Sequence, residues 1–514
     1  MSTIICGERR VSLERLTESA AKAAAGLKSL GVDRGDRVAL LMRNDIAFVE
    51  ASLAVGMLGA YSTPINWHYT PAEAQYLFEN SGAKVLIIHA DLIEPIRKAI
   101  PTNVHVLVIE TPPEVSAAYG IAKEIRATPP DMTDWNRWLD GFAPYECEKL
   151  ETPGSIIYTS GTTGHPKGVA RTPPTPEQTA FLMRVHGRGF GFTSFLEAGR
   201  KIVVAICGPM YHAAPLAYCM MAARVGADVV LQTRFDPEEL LALIERHSVT
   251  HMSMVPIMFN RLQRLPDAVK RKYHVSSLSY VVHNAAPCSP AVKRAMLDWW
   301  GPIIHESYGS TETNLVAFCT PEEWLSYPGT VGRIIPDAVV RILGADGKEL
   351  PAGQIGEIAA RQIGGPDFTY HGDEAKRRAA DRDGLIATGD IGYVDPDGFL
   401  YLCDRASHMI ISGGVNIYPA EIEAELHKMP GVEDCAVFGI PDEEFGEAVC
   451  AFVQPQIGKT LAARDVQSYL RERLAGFKVP KRVEFTELLP REDSGKIFKR
   501  KLRDPFWEGL DRRI

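Results

Sequence analysis

The chain has 514 residues, with 56 basic and 64 acidic side chains for a net charge of −8, 46% apolar residues and 8% aromatic residues. A length of that size implies about three compact units, or one large lobe plus a small one, since single domains usually hold about 100–200 residues. The mild acidity is spread along the chain rather than gathered in blocks. It therefore offers no basic face for a nucleic acid, which is not expected as a partner.

Nine cysteines at scattered positions, without a C-x-x-C pair, fit neither a disulfide scaffold nor a zinc site. They are expected to be reduced and mostly buried. Charge arrives at Glu8 and Arg9, too early for a signal-peptide core, and no apolar run approaches the ~20 residues of a membrane span. A cytoplasmic protein without a transmembrane segment is the expectation.

In chain order, short β-branched runs alternate with helical periods. RVALLM (37–42), KVLIIHA (84–90) and VHVLVIE (104–110) read as strands, and residues 51–58 and 71–78 as helices. A further unit runs from ADVVLQT (227–233) through a helix at 237–247 to THMSMVP (250–256), with Asp236 as N-cap and Pro237 in the first turn. Alternation of this kind predicts an α/β fold with largely parallel strands, arranged as two related sheets. Residues 171–200 stand out as either a lid, part of a substrate tunnel or a long loop.

From about Thr330 the pattern becomes short strands joined by Asp-Gly turns at 346–347, 383–384 and 397–398, so a small β-rich subdomain is expected over 330–404. After Asp404 and Arg405 come a Gly-Gly loop, a helix at 419–429 and two strands. The reading is a large domain over 1–404 and a small mobile α+β domain over 405–514.

The most informative segment is YTSGTTGHPKG (158–168), directly after the strand-like SIIY. Three glycines let backbone N–H groups approach an anion, and four Ser/Thr hydroxyls stand beside Lys167, as a phosphate site needs. The order Lys167-Gly168-Val169 is not that of a Walker A loop.

Five further segments follow: Glu306-Ser-Tyr-Gly-Ser-Thr-Glu312, Thr388-Gly-Asp390, Asp404-Arg405, Ser412-Gly-Gly-Val-Asn416 leading into Pro419, and Pro490-Arg-Glu-Asp-Ser-Gly-Lys496. In this order the chain resembles the adenylate-forming enzymes: acyl- and aryl-CoA synthetases, peptide-synthetase adenylation domains and firefly luciferase. The resemblance is nearest to the acid–CoA ligases.

The resemblance implies ATP, Mg²⁺ and coenzyme A as cofactor and co-substrates. It assigns the ATP phosphates to Thr159, Ser160, Gly161, Thr162, Thr163, Gly164 and Lys167. Asn284, Ala285 and Ala286 would form a strip under adenine and the acyl group, beside Glu306, Ser307, Tyr308 and Gly309, with Tyr308 stacking on the base. Thr311 would bind the α-phosphate and Glu312 the Mg²⁺, which favours hard oxygen ligands. Asp390 would accept the ribose hydroxyls, assisted by Arg405.

Lys496 would be the catalytic lysine bridging the substrate carboxylate and the α-phosphate. Ser412, Gly413 and Gly414 would line the coenzyme A path, and Ser407 would be the hinge. The family's charged hinge run is replaced by Ala406-Ser407-His408, with His408 read either as a pH-sensitive replacement or, more readily, as facing solvent.

His212 resembles the histidine at the mouth of the carboxylate pocket, the alternative being a packed histidine at a strand end. The following Ala213-Ala214-Pro215 offers nothing to an ammonium group, so the acid is not zwitterionic. Small residues here and at Gly309 leave room for an aryl-propenoate such as ferulate or coumarate, or for a medium-to-long fatty acid. The activity implied is AMP-forming acid–CoA ligation by a homodimer. Alternatives are loading of a carrier protein in trans, or a nucleotide-binding regulator without activity.

Overall fold

The computed structural model describes residues 2–146, 152–159, 166–413, 415–491 and 497–508. The first layer is a five-stranded parallel sheet in the order Tyr61–Pro64, Arg37–Leu41, Val85–His89, His105–Ile109, Thr133–Asp134. Its central strands are buried on both faces, as parallel sheets covered by helices are. The helix Ile46–Met57 is accordingly apolar nearly all round, with ten of its residues buried.

The second sheet has 14 strands among the described residues. Thr3–Cys6, Asp228–Leu231, Val203–Ile206, His251–Met254, Tyr280–His283 and Ile304–Ser310 run parallel. Between them, the helix Pro237–His247 has Asp236 accepting from the Glu239 N–H and Pro237 in its first turn, as its sequence predicts.

The β-rich strands expected over 330–404 are built onto the core sheet. Ile304–Ser310 turns back through residues 311–313 into the antiparallel Asn314–Cys319, and the later strands extend the same sheet. Gly332–Ile334, Phe399–Arg405, Leu385–Val394, Gly356–Gln362 and Ala338–Leu343 follow in space. The reversal makes the β-rich part a continuation of the parallel core. Asp383 and Gly384, with φ of 53° and 84°, form the two-residue turn between Asp381–Arg382 and Leu385–Val394.

A smaller antiparallel sheet joins Ile157–Thr159, Lys167–Arg171 and Phe368–Tyr370. Residues 171–200 are not a long loop. The helix Pro176–Gly189 opens on a reciprocal capping box between Thr175 and Gln178, and Phe192–Glu197 follows it. Phe190 packs edge-on to Tyr218 at 4.8 Å. These helices are thus packed parts of the large unit.

After the turn Ala406–His408, the strands Ile410–Ser412, Val415–Ile417, Gly446–Pro455, Val432–Asp442 and Arg482–Phe485 pair with one another. They enclose their own core around Ile422, Val437 and Leu470, against the helices Pro419–Leu426 and Ala463–Arg471. The architecture is α/β, with a large N-terminal domain and a small α+β C-terminal one. The described cysteines are all unpaired, six of them buried. Among the described residues, no helix is long and apolar enough to cross a membrane.

Candidate active site

Three walls meet at the carboxyl ends of the parallel strands, where open α/β sheets bind ligands. The first follows Tyr280–His283. Asn284 Nδ2 donates to Ser307 Oγ at 3.4 Å, and Ala285 holds the left-handed φ of 68°. A non-glycine residue there costs on the order of 1–2 kcal/mol, so the surroundings impose this backbone.

The second wall is the end of Ile304–Ser310 and its turn. A Cβ on Gly309 would lie 1.9 Å from the Asn314 carbonyl oxygen, so only glycine allows the two strands this close. The Ser310 hydroxyl accepts from the N–H groups of Glu312 (3.2 Å) and Thr313 (3.0 Å). Glu312 Oε1 in turn accepts from the Tyr370 hydroxyl at 3.1 Å. Lys167 Nζ lies 5.8 Å from the centre of the Tyr370 ring, so Lys167, Tyr370 and Glu312 form one group. Burial and the adjacent Lys376 ammonium lower the Lys167 pKa to about 8, against the pull of Glu312 and Asp373.

The third wall is the hairpin that pairs Asp390 with Arg405. Arg405 Nε donates to Asp390 Oδ1 at 2.8 Å, and the Tyr308 hydroxyl donates to Oδ2 at 2.7 Å. The buried carboxylate therefore has protein donors on both oxygens. Tyr308 is 8% exposed and packs with Val316 and Leu400, which leaves less ring surface for a base than expected.

Glu306 also departs from expectation. Its carboxylate lies inside, 2.6 Å from Lys293 Nζ and 3.3 Å from His283 Nε2, with both partners fully buried. It is an internal ion-pair member rather than a cleft-facing group. His212 occupies the N-cap position of the helix Ala213–Arg224 without a side-chain capping bond, its ring 4.3 Å from that of Tyr211.

Asp404 and His408 lie together after the hairpin. His408 Nδ1 lies 3.4 Å from Asp404 Oδ1, and Asp404 Oδ2 accepts from the Ala420 N–H at 2.8 Å. The histidine pairs with the aspartate while its side chain stays 30% exposed. Burial alone would raise the Asp404 pKa; the His408 hydrogen bond, the Lys499 charge and the Ala420 amide together lower it.

Ser412 and Gly413 belong to the C-terminal domain, where the Gly413 N–H donates to the Phe445 carbonyl at 2.8 Å. Ser160, Gly161, Thr162, Thr163, Gly164, Gly414 and Lys496 lie outside the described residues, as does the Ser407 side chain. Thr159 ends the strand before the first of these gaps.

A cavity of about 380 Å³ has Trp67, Tyr119 and Phe235 on its sides and Arg234, Arg261 and Arg491 among its polar lining. Residues 488–491 of the C-terminal domain close it against residues of the large domain. Arg264 and Glu433 bridge the two domains at 2.6 Å.

Residues 2–366 match the family described as "AMP-binding enzyme", and residues 421–496 match "AMP-binding enzyme C-terminal domain". The chain belongs to the AMP-binding enzyme family. This AMP-binding enzyme is 31% identical over 522 residues to a fatty acid–[acyl-carrier-protein] ligase of Streptomyces coeruleorubidus, covering 99% of this chain and 94% of that one. It is 33% identical over 504 residues to a feruloyl-CoA synthase of an Amycolatopsis species, covering 97% and 95%. Its fold is similar to that of o-succinylbenzoate CoA synthetase from Bacillus subtilis in complex with an acyl-adenylate intermediate, with a TM-score of 0.79, 27% identity and coverage of 98% and 95%. The AMP-binding enzyme is thus an adenylate-forming ligase.

Two side chains of this site had no role in the sequence reading. Tyr370, which joins Lys167 to Glu312, sits on a strand about 200 residues later in the sequence than the glycine-rich motif but paired with Lys167–Arg171 in space. Arg171 ends the strand that Lys167 begins, and its charge after the apolar Val169 and Ala170 was the available signal.

Proposed function

We propose that this enzyme is an AMP-forming acid–CoA ligase that works in two half-reactions, with the domain division near Asp404 and Arg405. The observation that carries the reading is the pairing of two groups, Lys167 with Tyr370 and Glu312, and Tyr308 with Asp390 and Arg405, joined through the short segment from Tyr308 to Glu312. The first suits phosphates and the second a ribose.

In this reading Thr159, Ser160, Gly161, Thr162, Thr163, Gly164 and Lys167 hold the departing pyrophosphate. Thr311 contacts the α-phosphate, and Asn284, Ala285, Ala286, Ser307, Tyr308 and Gly309 border the adenine. Glu312 fits Mg²⁺ because it brings a hard carboxylate oxygen, with Tyr370 occupying Oε1. When bound, the ion neutralises phosphate charge. Each Asp390 oxygen retains a second lone pair for a ribose hydroxyl, while Tyr308 and Arg405 fix the carboxylate's orientation.

The substrate carboxylate attacks the α-phosphorus and pyrophosphate leaves, with Lys496 stabilising the charge that develops. Rotation about Ser407 then withdraws Lys496 and brings Ser412, Gly413 and Gly414 to the cleft. The coenzyme A thiol attacks the acyl carbon, and AMP leaves. The apolar and aromatic cavity with guanidinium groups suits a phosphate-bearing pantetheine arm. His212 borders the carboxylate. The acid is an apolar aryl-propenoate or a fatty acid, and the enzyme acts in the cytoplasm as a homodimer.

A second reading, loading of a carrier protein's phosphopantetheine, is favoured by the fatty acid–[acyl-carrier-protein] ligase relative. Thioester formation from fatty, benzoic, cinnamic and dicarboxylic acids, with coenzyme A or a phosphopantetheinylated carrier, separates the two readings. In Lys496→Ala, adenylate formation is expected to collapse while thioester formation from supplied acyl-adenylate persists. Equal loss of both halves would overturn the assigned division of labour.

A further inference from the structure

Arg171 is the last residue of the strand Lys167–Arg171, and its side chain reaches behind the turn that carries Thr311 and Glu312. Its Nη2 donates to the Thr311 carbonyl at 2.5 Å and to the Glu312 carbonyl at 3.1 Å, while Nη1 donates to the Pro366 carbonyl at 3.2 Å. These three acceptors are main-chain carbonyls from two segments.

A guanidinium enclosed against carbonyls loses hydration, and hydrogen bonds to neutral oxygens return only part of that cost. Burial accordingly lowers its pKa to about 10, with the charges of Glu312 and Asp367 opposing. The group remains a cation at neutral pH. An aliphatic side chain of similar length would fill the space without desolvating a charge, so packing alone does not account for arginine here.

The arrangement of the turn supplies a reason. The N–H groups of Glu312 and Thr313 are held from within by the Ser310 hydroxyl, and that of Ser310 by Thr313 Oγ1 at 3.0 Å. The carbonyls of Thr311 and Glu312 are held from outside by Arg171. Because Lys167 begins the same strand, one rigid segment links the lysine to the turn. The next residue, Thr172, ties that segment to the Asp367 carbonyl through its N–H at 3.0 Å.

We propose that Arg171 is a positioning residue for adenylation, clamping the main chain of Thr311 and Glu312 so that both side chains keep their places relative to Lys167. The inference rests on the acid–CoA ligase reading. It concerns a residue that makes no contact with substrate in that mechanism.

The test compares Arg171→Met and Arg171→Lys with wild type in acid-dependent ATP–pyrophosphate exchange across a Mg²⁺ titration. Thioester formation from supplied acyl-adenylate and thermal melting run in parallel. In Arg171→Met, exchange kcat is expected to fall by roughly 100-fold and the half-saturating Mg²⁺ to rise at least about fivefold, with the second half-reaction changed by less than about tenfold. Arg171→Lys, with fewer donors, should fall between the two. In a Glu312→Gln background the Arg171→Met loss should shrink to a few fold, because the pair acts as a unit.

Unchanged Mg²⁺ half-saturation in a folded variant, or fully additive losses with Glu312→Gln, would overturn the clamp. If Arg171→Met does not fold, the Mg²⁺ dependence of Arg171→Lys decides by the same criterion. A wild type inactive with every acid refutes the ligase reading and the clamp with it. Indifferent variants of an active wild type refute the clamp alone.

Discussion

The Tyr308 hydroxyl donates to Asp390 Oδ2 at 2.7 Å across 82 residues of sequence, and Arg405 holds the other carboxylate oxygen at 2.8 Å. Burial, and then the Asp390 charge, push the Tyr308 pKa well above 10, so the phenol stays a donor throughout the working range. Tyr308→Phe is expected to keep the ring and lose the orientation. A buried hydrogen bond to a charged group contributes about 1.5–3 kcal/mol, so melting should fall measurably, with KM for ATP rising about threefold to tenfold. Calorimetry and pyrophosphate exchange check this; unchanged KM with lowered stability would make the bond purely structural.

Glu306 gives a contrasting expectation. Removing one partner of a buried ion pair typically costs about 3–5 kcal/mol, so Glu306→Ala should destabilise strongly through the stranded Lys293. Burial alone raises the Glu306 pKa, but His283 and Lys293 outweigh it and the net shift is downward. Its stabilisation is therefore full above the ordinary glutamate range near 4.5 and is lost as pH falls through the lower folded value. Denaturant melts of wild type and Glu306→Gln from pH 3 to 7 should converge towards the acid end, as expected for roughly this carboxylate range.

Lys167 should impose a pH dependence on ATP binding. With its pKa lowered to about 8 by burial and by Lys376, the free enzyme holds the cation below that pH and loses it above. KM for ATP should therefore climb on the alkaline side. Lys376→Met removes the neighbouring charge and should move the break upward in a pH series of exchange kinetics. A break that stays in place would show that burial alone sets it.

The pair of Asp404 and His408 lies at the proposed hinge. His408→Ala removes the 3.4 Å contact, and the Asp404 pKa should rise towards its ordinary value. Stability lost on acidification would then be lost at higher pH than in wild type. The variant is also expected to change the ratio of adenylation to thioesterification rates by a few fold, since one anchor of the hinge is gone. Rapid-quench measurement of the two half-reactions checks this.

Sequence alone determined the chemistry carried by contiguous residues. Glycines among hydroxyls beside Lys167, and Asp236 followed by Pro237 at a helix start, act through near neighbours, so their pattern is visible without the fold. The α/β alternation was legible for the same reason, because periodicity and turn chemistry are local.

Tertiary structure decided which charged and polar groups meet. Glu306 and Asp390 are both acidic residues near the ends of motif segments, yet one meets Lys293 and His283 inside the sheet and the other meets Tyr308 and Arg405 at the cleft. That His408 meets Asp404 depends on the turn Ala406–His408, which no local pattern signals. Arg171 reaches the turn of Thr311 and Glu312 across about 140 residues, through pairing of strands far apart in the chain. A carboxylate's or guanidinium's role depends on its desolvation and its partners, and both are set by packing that brings distant segments together.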